Sequence, residues 1–360
     1  MTHVSLKDIA AEAGVSFQTV SKVLKGKGSV SPETRAWILE VAERLGYVPN
    51  ALARSLVSQR TATIGIVATD FSDYVLSQFV VGAEREARRQ GQCVIVGSLD
   101  QDGSDAERYL LLLMERRVDG ILLAAPQLEQ NTRVGGMLNG LPVVSLHHVP
   151  GAKLRTVGSH QSQTGFLATQ HLLELGHRRI GTIIGSLDRR VTHSRLRGYQ
   201  RALQTMGVAY DPALVEEGHW LVEGGYEAAQ RLLDRVPDIT ALFVQSDTMA
   251  IGVLSALHER GLRVPQDCAV VGCDDIPMAA HTIPPLTTIH IPVYETGEAA
   301  VRLLLDIIEN RAAEEPQHIS PPVHLVRRAS SGGNEERSRL NSSATEKESI
   351  CGEDQDRPGA

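Results

Sequence analysis

The stretch Gly14-Val15-Ser16-Phe17-Gln18-Thr19-Val20-Ser21-Lys22-Val23-Leu24 decides how the first sixty residues are read. It reads as a glycine turn followed by one short helix. Val20, Val23 and Leu24 recur at helical spacing, and Gln18, Ser21, Lys22 and Lys25 recur at three- and four-residue steps on the other side. A helix anchored by one face and offering amide, hydroxyl and ammonium groups on the other suits the major groove of DNA. An ordinary amphipathic surface helix has the same pattern, so the flanking sequence must decide.

Upstream, Ser5-Leu6-Lys7-Asp8 is a capping-box pattern, and Leu6, Ile9, Ala10 and Ala13 give that first helix an apolar stripe. Gly14 ends it and Ser16 is placed to cap the second, which is the helix-turn-helix plan. Downstream, Ser31-Pro32-Glu33 opens a third helix with a serine cap, an N-terminal proline and a carboxylate at the positive end of the dipole. Trp37, Ile38, Val41, Ala42 and Leu45 are expected on its buried side, with Gly46 as the stop. In the following Asn50–Ser58 stretch, Asn50 can cap a helix carrying Leu52 and Leu56 on one face and Arg54 on another. About eight residues are too few for a helix stable alone in water, so this one is expected to form only when docked. Pairing with a second copy over a minor groove would supply the docking, with Leu56 wedged between base steps.

Charge distribution agrees. The whole chain of 360 residues carries a net charge of −7, yet residues 1–60 hold 8 Lys/Arg against 5 Asp/Glu and the rest 28 against 38. A mildly basic head on an acidic body fits a DNA-contacting module carried by something else. Cys93, Cys268, Cys273 and Cys351 have no metal-type or Cys-x-x-Cys spacing, and three lie in or beside apolar runs, so buried free thiols are expected. Met1-Thr2-His3-Val4-Ser5 lacks the charged-then-apolar pattern of a signal segment, and no apolar run approaches a membrane span; a bacterial-type cytoplasm is expected.

From Thr61 the pattern changes. Ile64–Ala68, Val94–Val96, Gly120–Ala124, Val143–Leu146, Ile180–Ile184, Ala241–Val244 and Ala269–Gly272 are short apolar runs. Amphipathic stretches separate them, such as Leu76–Arg89, Asp105–Arg117, Gln163–Leu175, Arg195–Met206, Tyr226–Arg235 and Met249–Arg260. Alternation of this kind argues for parallel sheets buried on both faces, and its length exceeds one comfortable core, so two α/β lobes are expected.

Residues 4–58 resemble the head and hinge of the LacI/GalR family of bacterial transcription repressors. The matching words include Leu6-Lys7-Asp8-Ile9-Ala10, Ala13-Gly14-Val15-Ser16, Thr19-Val20-Ser21, Val30-Ser31-Pro32-Glu33-Thr34-Arg35 and Leu45-Gly46-Tyr47-Val48-Pro49-Asn50. The resemblance continues to about residue 330, through Arg117-Val118-Asp119-Gly120, His171-Leu172-Leu173-Glu174-Leu175-Gly176-His177, Val271-Gly272-Cys273-Asp274-Asp275 and Pro284-Pro285-Leu286-Thr287-Thr288. It implies an α/β protein with a three-helix helix-turn-helix head and a two-lobed periplasmic-binding-protein-like core of parallel sheets. The expected layout is a DNA-binding domain over 1–48 and a hinge over 49–60. The core runs over 61–328, with lobe 1 about 61–157 and 291–318, lobe 2 about 160–287 and 320–328, and crossovers near 157–160, 287–291 and 318–322. The tail from 329 to 360, rich in Ser, Glu, Arg and Asn and without apolar periodicity, is expected to be disordered. It has no leucine heptads, so a homodimer is the simpler assembly.

What the resemblance implies for site residues follows. Operator contact falls to Ser5, Leu6, Ser16, Phe17, Gln18, Thr19, Ser21, Lys22, Asn50, Ala53 and Leu56. Lys22 departs from the family's usual arginine, and a lysine lacks the bidentate fork that reads guanine. The effector cleft is expected from Thr69, Asp73, Val75, Leu76, Phe79, His147, His160, Arg195, Trp220, Ser246 and Asp274, with Asp70 nearby and Asp275 structural. A carboxylate and an Arg fork suit sugar hydroxyls, and an indole suits the apolar face of a pyranose. Lobe 1 lacks the paired aromatics of purine-responsive members, which favours a sugar or glycoside, acting as inducer. A non-sugar corepressor on the same architecture stands as the alternative. His147, His160-Gln161 and Ser246 depart from common family residues, so the pattern leaves the ligand's identity open. His147-His148 has no third ligand at useful spacing, so no metal or cofactor is expected. A glycosidase using Asp274 and Asp275 is disfavoured, because adjacent carboxylates on one loop do not flank a glycosidic bond. A sugar transport receptor is disfavoured by the intact head.

Overall fold

The computed structural model describes residues 4–24, 26, 28–48, 60–69, 71–100, 102–312 and 318–332. The chain divides into two compact units, the first ending at Thr61 and the second starting at Ala62.

The first unit holds helices α1 (Leu6–Ala13), α2 (Phe17–Leu24) and α3 (Pro32–Arg44). Ile9, Ala10, Val20, Val23, Ile38, Val41 and Ala42 form its core. Ser5 accepts from the Asp8 amide while Asp8 accepts from the Ser5 amide, so both halves of the capping box form. Gly14, at φ 67°, takes the left-handed turn between α1 and α2. Trp37 differs from expectation: it is 41% exposed, and its indole N–H donates to the Ala13 carbonyl at 3.2 Å, tying α3 to the end of α1 from outside.

The second unit contains two parallel sheets. The first has the order β11-β5-β4-β3-β1-β2, from β1 (Thr63–Ala68), β2 (Cys93–Ser98), β3 (Gly120–Ala124), β4 (Val143–Ser145), β5 (Arg155–Val157) and β11 (His318–Ile319). The second has the order β7-β6-β8-β9, from β6 (Ile180–Ile184), β7 (Val215–Glu217), β8 (Ala241–Val244) and β9 (Ala269–Val271). Period-two alternation sends side chains to two cores in each lobe. In lobe 1, Ile64, Ile66, Leu122 and Val144 pack against α4 (Tyr74–Arg89) and α11 (Val293–Ile308), whereas Val67, Ile121, Leu123 and Val143 face α5 (Ala106–Glu115) and the short α6 (Val134–Met137). In lobe 2, Ala241, Phe243 and Val271 face α7 (Gln161–Glu174) and α8 (Arg190–Thr205), and Leu242, Val244 and Val270 face α9 (Val222–Arg235) and α10 (Asp247–Glu259). Each such fully buried aliphatic side chain contributes about 1.5–3 kcal/mol.

Three helix pairs meet through one glycine from each partner. On α7 and α8, a Cβ at Gly165 would fall 2.0 Å from the Arg195 carbonyl oxygen, and one at Gly198 would fall 2.0 Å from that of Ser162. Gly82 with Gly297, and Gly225 with Gly252, do the same for α4–α11 and α9–α10. The close approach of α7 to α8 positions Gln161 and Arg195 for the site described below.

The chain leaves lobe 1 after β5, returns from β10 (Thr288–His290) into α11, and leaves again after β11 for β12 (His324–Val326), which pairs antiparallel with β10. Two expectations are corrected. Cys93 is exposed, at the start of the edge strand β2, while Cys268 and Cys273 are buried free thiols. Order does not stop at residue 328: Ala329–Ser331 form a 3-10 turn in which Ser330 and Ser331 are buried. Ser330 Oγ donates to the Val270 carbonyl at 2.7 Å and accepts the Thr287 amide at 2.8 Å. The remainder of the expected tail, from residue 333, lies outside the described residues, as do most of the expected hinge and Asp70.

Candidate functional site

On the head, the hydroxyl of Ser16 accepts the Thr19 amide at 3.2 Å and shares a 2.8 Å bond with the Thr19 hydroxyl. Ser5 is likewise engaged in the α1 cap, and Leu6 packs against the head core. These bonds set the helix starts, with Ser5 and Ser16 exposed and Leu6 and Thr19 half-buried. What α2 presents outward is Phe17, 49% exposed, with Gln18 and Lys22 exposed and Ser21 half-buried beside them. Arg35, which sequence reading passed over, donates to the carbonyls of Val23 and Gly28 and closes the end of α2. Asn50, Ala53 and Leu56 lie outside the described residues.

In the core, the functional side chains gather where the strands end. Beyond β9, Asp274 (φ 115°) and Asp275 (φ 57°) both occupy the left-handed region, which turns the two carboxylates apart. Asp274 accepts from Arg195 Nη2 at 3.2 Å, with the two side chains 7% and 6% exposed. Asp275 is held by Arg328 at 2.7 Å and His290 at 3.0 Å, a structural position. Arg195 also donates through Nε to Gln161 Oε1 at 2.9 Å and through Nη1 to the Gln245 carbonyl. Burial raises the Asp274 carboxyl to about 6, against the lowering effect of Arg195. Trp220, at φ 67°, lies against Gly185, where a Cβ would meet the indole at 1.9 Å; its ring centroid is 5.8 Å from the Arg195 guanidinium carbon. The indole is partly buried against the lobe 2 core and keeps an exposed part. Ser246 caps α10 through the Thr248 amide at 3.1 Å.

Sequence reading missed Asp247. It is fully buried, accepts from Thr288 Oγ1 at 2.6 Å and from the Ile276 amide at 3.0 Å, and burial beside Asp274 pushes its carboxyl well above the usual range. The Gln161 and Gln245 contacts were missed too, since neither residue type carries a motif of its own.

Lobe 1 faces this group with Asp73, Thr69, Val75, Leu76 and His147. Asp73 caps α4 through the amides of Val75 and Leu76, at 2.9 and 3.2 Å. Desolvation raises its carboxyl, and the charges of His147 and Arg195 act on it in the opposite sense, so it addresses the lobe 2 cation across the cleft. Val75 packs on the lobe 2 core cluster that also receives Trp220, and Leu76 is half-buried. Thr69 Oγ1 accepts from Gln127 Nε2. Gln127 Oε1 and His147 Nε2 are buried with no hydrogen-bond partner among the described residues. One expected cleft residue stands elsewhere. Phe79 is 1% exposed in the lobe 1 core, because it falls on the inward stripe of α4 with Ala83 and Ala87. His160 sits exposed at the first crossover, its ring 5.6 Å from that of His318.

Residues 5–50 match the family described as bacterial regulatory proteins, lacI family, and residues 169–331 match the periplasmic binding protein-like domain. The HTH-type transcriptional repressor PurR of Haemophilus influenzae (strain PittEE) is 35% identical over 308 residues, covering 85% of this chain and 92% of the relative. The chain belongs to the LacI family. Among solved structures, the lac repressor dimer bound to operator and the anti-inducer ONPF superposes with a TM-score of 0.83 at 30% identity, covering 91% of this chain and 99% of that one. The CelR–cellobiose complex does so with a TM-score of 0.70 at 35% identity, covering 91% and 100%. This LacI-family protein therefore combines a DNA-binding repressor head with a ligand-binding core.

Proposed function

We propose that this chain is a homodimeric cytoplasmic repressor whose operator affinity is set by a small sugar or glycoside held between the lobes, most simply as an inducer. The observation that carries the ligand class is the buried Arg195–Asp274 pair beside the partly exposed indole of Trp220. Arg195 has five N–H donors, and three are engaged by Gln161, Gln245 and Asp274. The remaining donors and the carboxylate give the donor-and-acceptor mixture that a polyhydroxylated ring satisfies. With Phe79 in the lobe core, Trp220 is the one carbocyclic aromatic side chain among the expected cleft residues left to meet a ligand. The cellobiose complex among its structural relatives supports the same class. The identity with PurR supports the second reading, a non-sugar corepressor in the same cleft.

The dimer is supported by the operator-bound lac repressor dimer, and base reading is assigned to Phe17, Gln18, Ser21 and Lys22 on the exposed side of α2. A glycosidase built on Asp274 and Asp275 is disfavoured, because Asp275 is committed to Arg328 and His290 while Asp274 is paired with Arg195. Gel shift against genomic operator fragments, with and without a panel of galactosides, glucosides, cellobiose and ribose, tests the proposal. The expected result is a specific shift that one sugar reverses. No shift with any fragment would overturn the repressor reading, and a shift that purines alone modulate would replace the sugar.

A further inference from the structure

The segment Pro126–Gln130, which follows β3 in lobe 1, behaves differently from one residue to the next. Gln127 turns back to Thr69 within its own lobe, and Leu128 is 1% exposed in the lobe 1 core. The next two side chains cross to lobe 2. Gln130 Nε2 donates to the Asp188 carbonyl at 2.9 Å, and Glu129 Oε2 accepts the Arg190 amide at 2.9 Å. Arg190 opens α8, the helix that carries Arg195, and the first amides of a helix have no partner within it. A carboxylate there also meets the positive end of the helix dipole. The other oxygen, Glu129 Oε1, lies 3.5 Å from His147 Nδ1, and the two side chains are 6% and 16% exposed. Burial pushes the Glu129 carboxyl up, but His147 and the Arg190 amide outweigh it and the net shift is downward, so the group is an anion at neutral pH.

The geometry points to Glu129 as an interlobe latch: one carboxylate holds α8 of lobe 2 closed and orients His147 for the ligand. With an anion facing Nδ1, the imidazole keeps a proton on that nitrogen, and in its neutral form it offers Nε2 as an acceptor. That Nε2 is buried and has no hydrogen-bond partner among the described residues. A ligand hydroxyl donating to it polarises the ring, strengthens the Nδ1–H···Glu129 contact and so favours the latched state. This last link rests on the proposed effector site; the latch itself does not.

The test is hydrogen exchange followed by mass spectrometry on the full-length protein without ligand. Glu129→Ala should speed exchange in residues 187–192 by roughly tenfold or more, the loss of one charge-assisted bond, while β6 and the interior of α8 keep their protection. Glu129→Gln, which retains one acceptor, should fall between Glu129→Ala and wild type, and it supplies the reading if Glu129→Ala does not fold. Wild-type exchange at 187–192, or faster exchange throughout lobe 2, would overturn the latch. Calorimetry with cellobiose and a galactoside separates the two ideas. If neither sugar binds the wild type, the sugar reading fails and the exchange result still decides the latch. If one binds, an unchanged affinity in Glu129→Ala would overturn the coupling to ligand.

Discussion

Arg195 of α8 and Asp274 of the loop after β9 meet at 3.2 Å with both side chains buried, and their pairing joins the α7–α8 side of lobe 2 to the strand ends. Removing one partner from such a pair strands a charge and costs about 3–5 kcal/mol. Asp274 also carries the clearest pH signature in the cleft. Its carboxyl is raised to about 6, so the native state holds a proton that the unfolded chain releases at lower pH. Its stabilising contribution is complete below the ordinary carboxylate range and is lost as pH climbs through about 6. Ligand binding runs the other way, because a hydroxyl donates better to the ionised form. Affinity for a bound sugar should therefore fall as pH drops from 7 to 5, and Asp274→Asn should flatten that dependence. Calorimetric titrations across this range check it, and an equal slope in the variant would assign the effect to another group.

Gly185 and Trp220 make a second, purely steric prediction. A methyl at Gly185 would lie 1.9 Å from the indole, so Gly185→Ala must displace the ring. Ligand affinity should drop by about tenfold or more, as overpacking costs about 1–3 kcal/mol, while operator binding without ligand remains. Gel shift and calorimetry on the same preparation measure both. Intact ligand binding would move Trp220 from the cleft to the core.

How far the sequence carried this reading depends on what each residue does. Continuous apolar runs such as Gly120–Ala124 are buried on both faces, and that pattern survives any change of neighbour. The head was legible because caps and glycine turns are local. Helix starts were not: α8 begins at Arg190, where a polar first turn carries no apolar stripe and the Arg190 amide is satisfied from the other lobe. Phe79 was misplaced because proximity in sequence to Asp73 does not tell which stripe of α4 it occupies. Ser330 was read as tail because its role lies in long-range bonds to Val270 and Thr287, which composition cannot reveal. Asp247 escaped for the same reason.

Lys22 is the exposed cation of α2, and its stem packs near Gly28, whose added Cβ would approach it to 3.1 Å. If it reads a base edge, Lys22→Ala should weaken operator binding by about 1–3 kcal/mol and leave non-specific DNA binding nearly unchanged. A phosphate contact predicts a uniform loss and a salt slope smaller by about one. Gel shift on operator and scrambled duplexes at several salt concentrations distinguishes the two. The expected outcome is the first, since Lys22 shares its exposed face with Gln18 and Phe17.

His171 links helix α7 to the turn Ala329–Ser331. Its Nε2 lies 2.9 Å from Ser331 Oγ, and Ser331 bonds in turn to Thr287 Oγ1 at 2.8 Å. Burial, with Arg327 and His177 nearby, lowers the imidazole from 6.5 to about 4. The folded state therefore keeps His171 neutral while the unfolded chain protonates it. Its contribution to stability is complete above about pH 6.5 and is lost as pH falls towards 4, amounting to about 3 kcal/mol when fully developed. This slope is opposite in sign to that of Asp274 over the same range, so the total curve reports neither group alone. The difference between wild type and His171→Gln isolates it, because the amide nitrogen of Gln can still reach Ser331 and does not titrate. Urea unfolding at pH 7 and pH 4.5 should show the variant losing less stability on acidification than the wild type. Equal losses would mean that the His171–Ser331 contact opens before the imidazole charges, and that the turn Ala329–Ser331 is not part of the cooperative core.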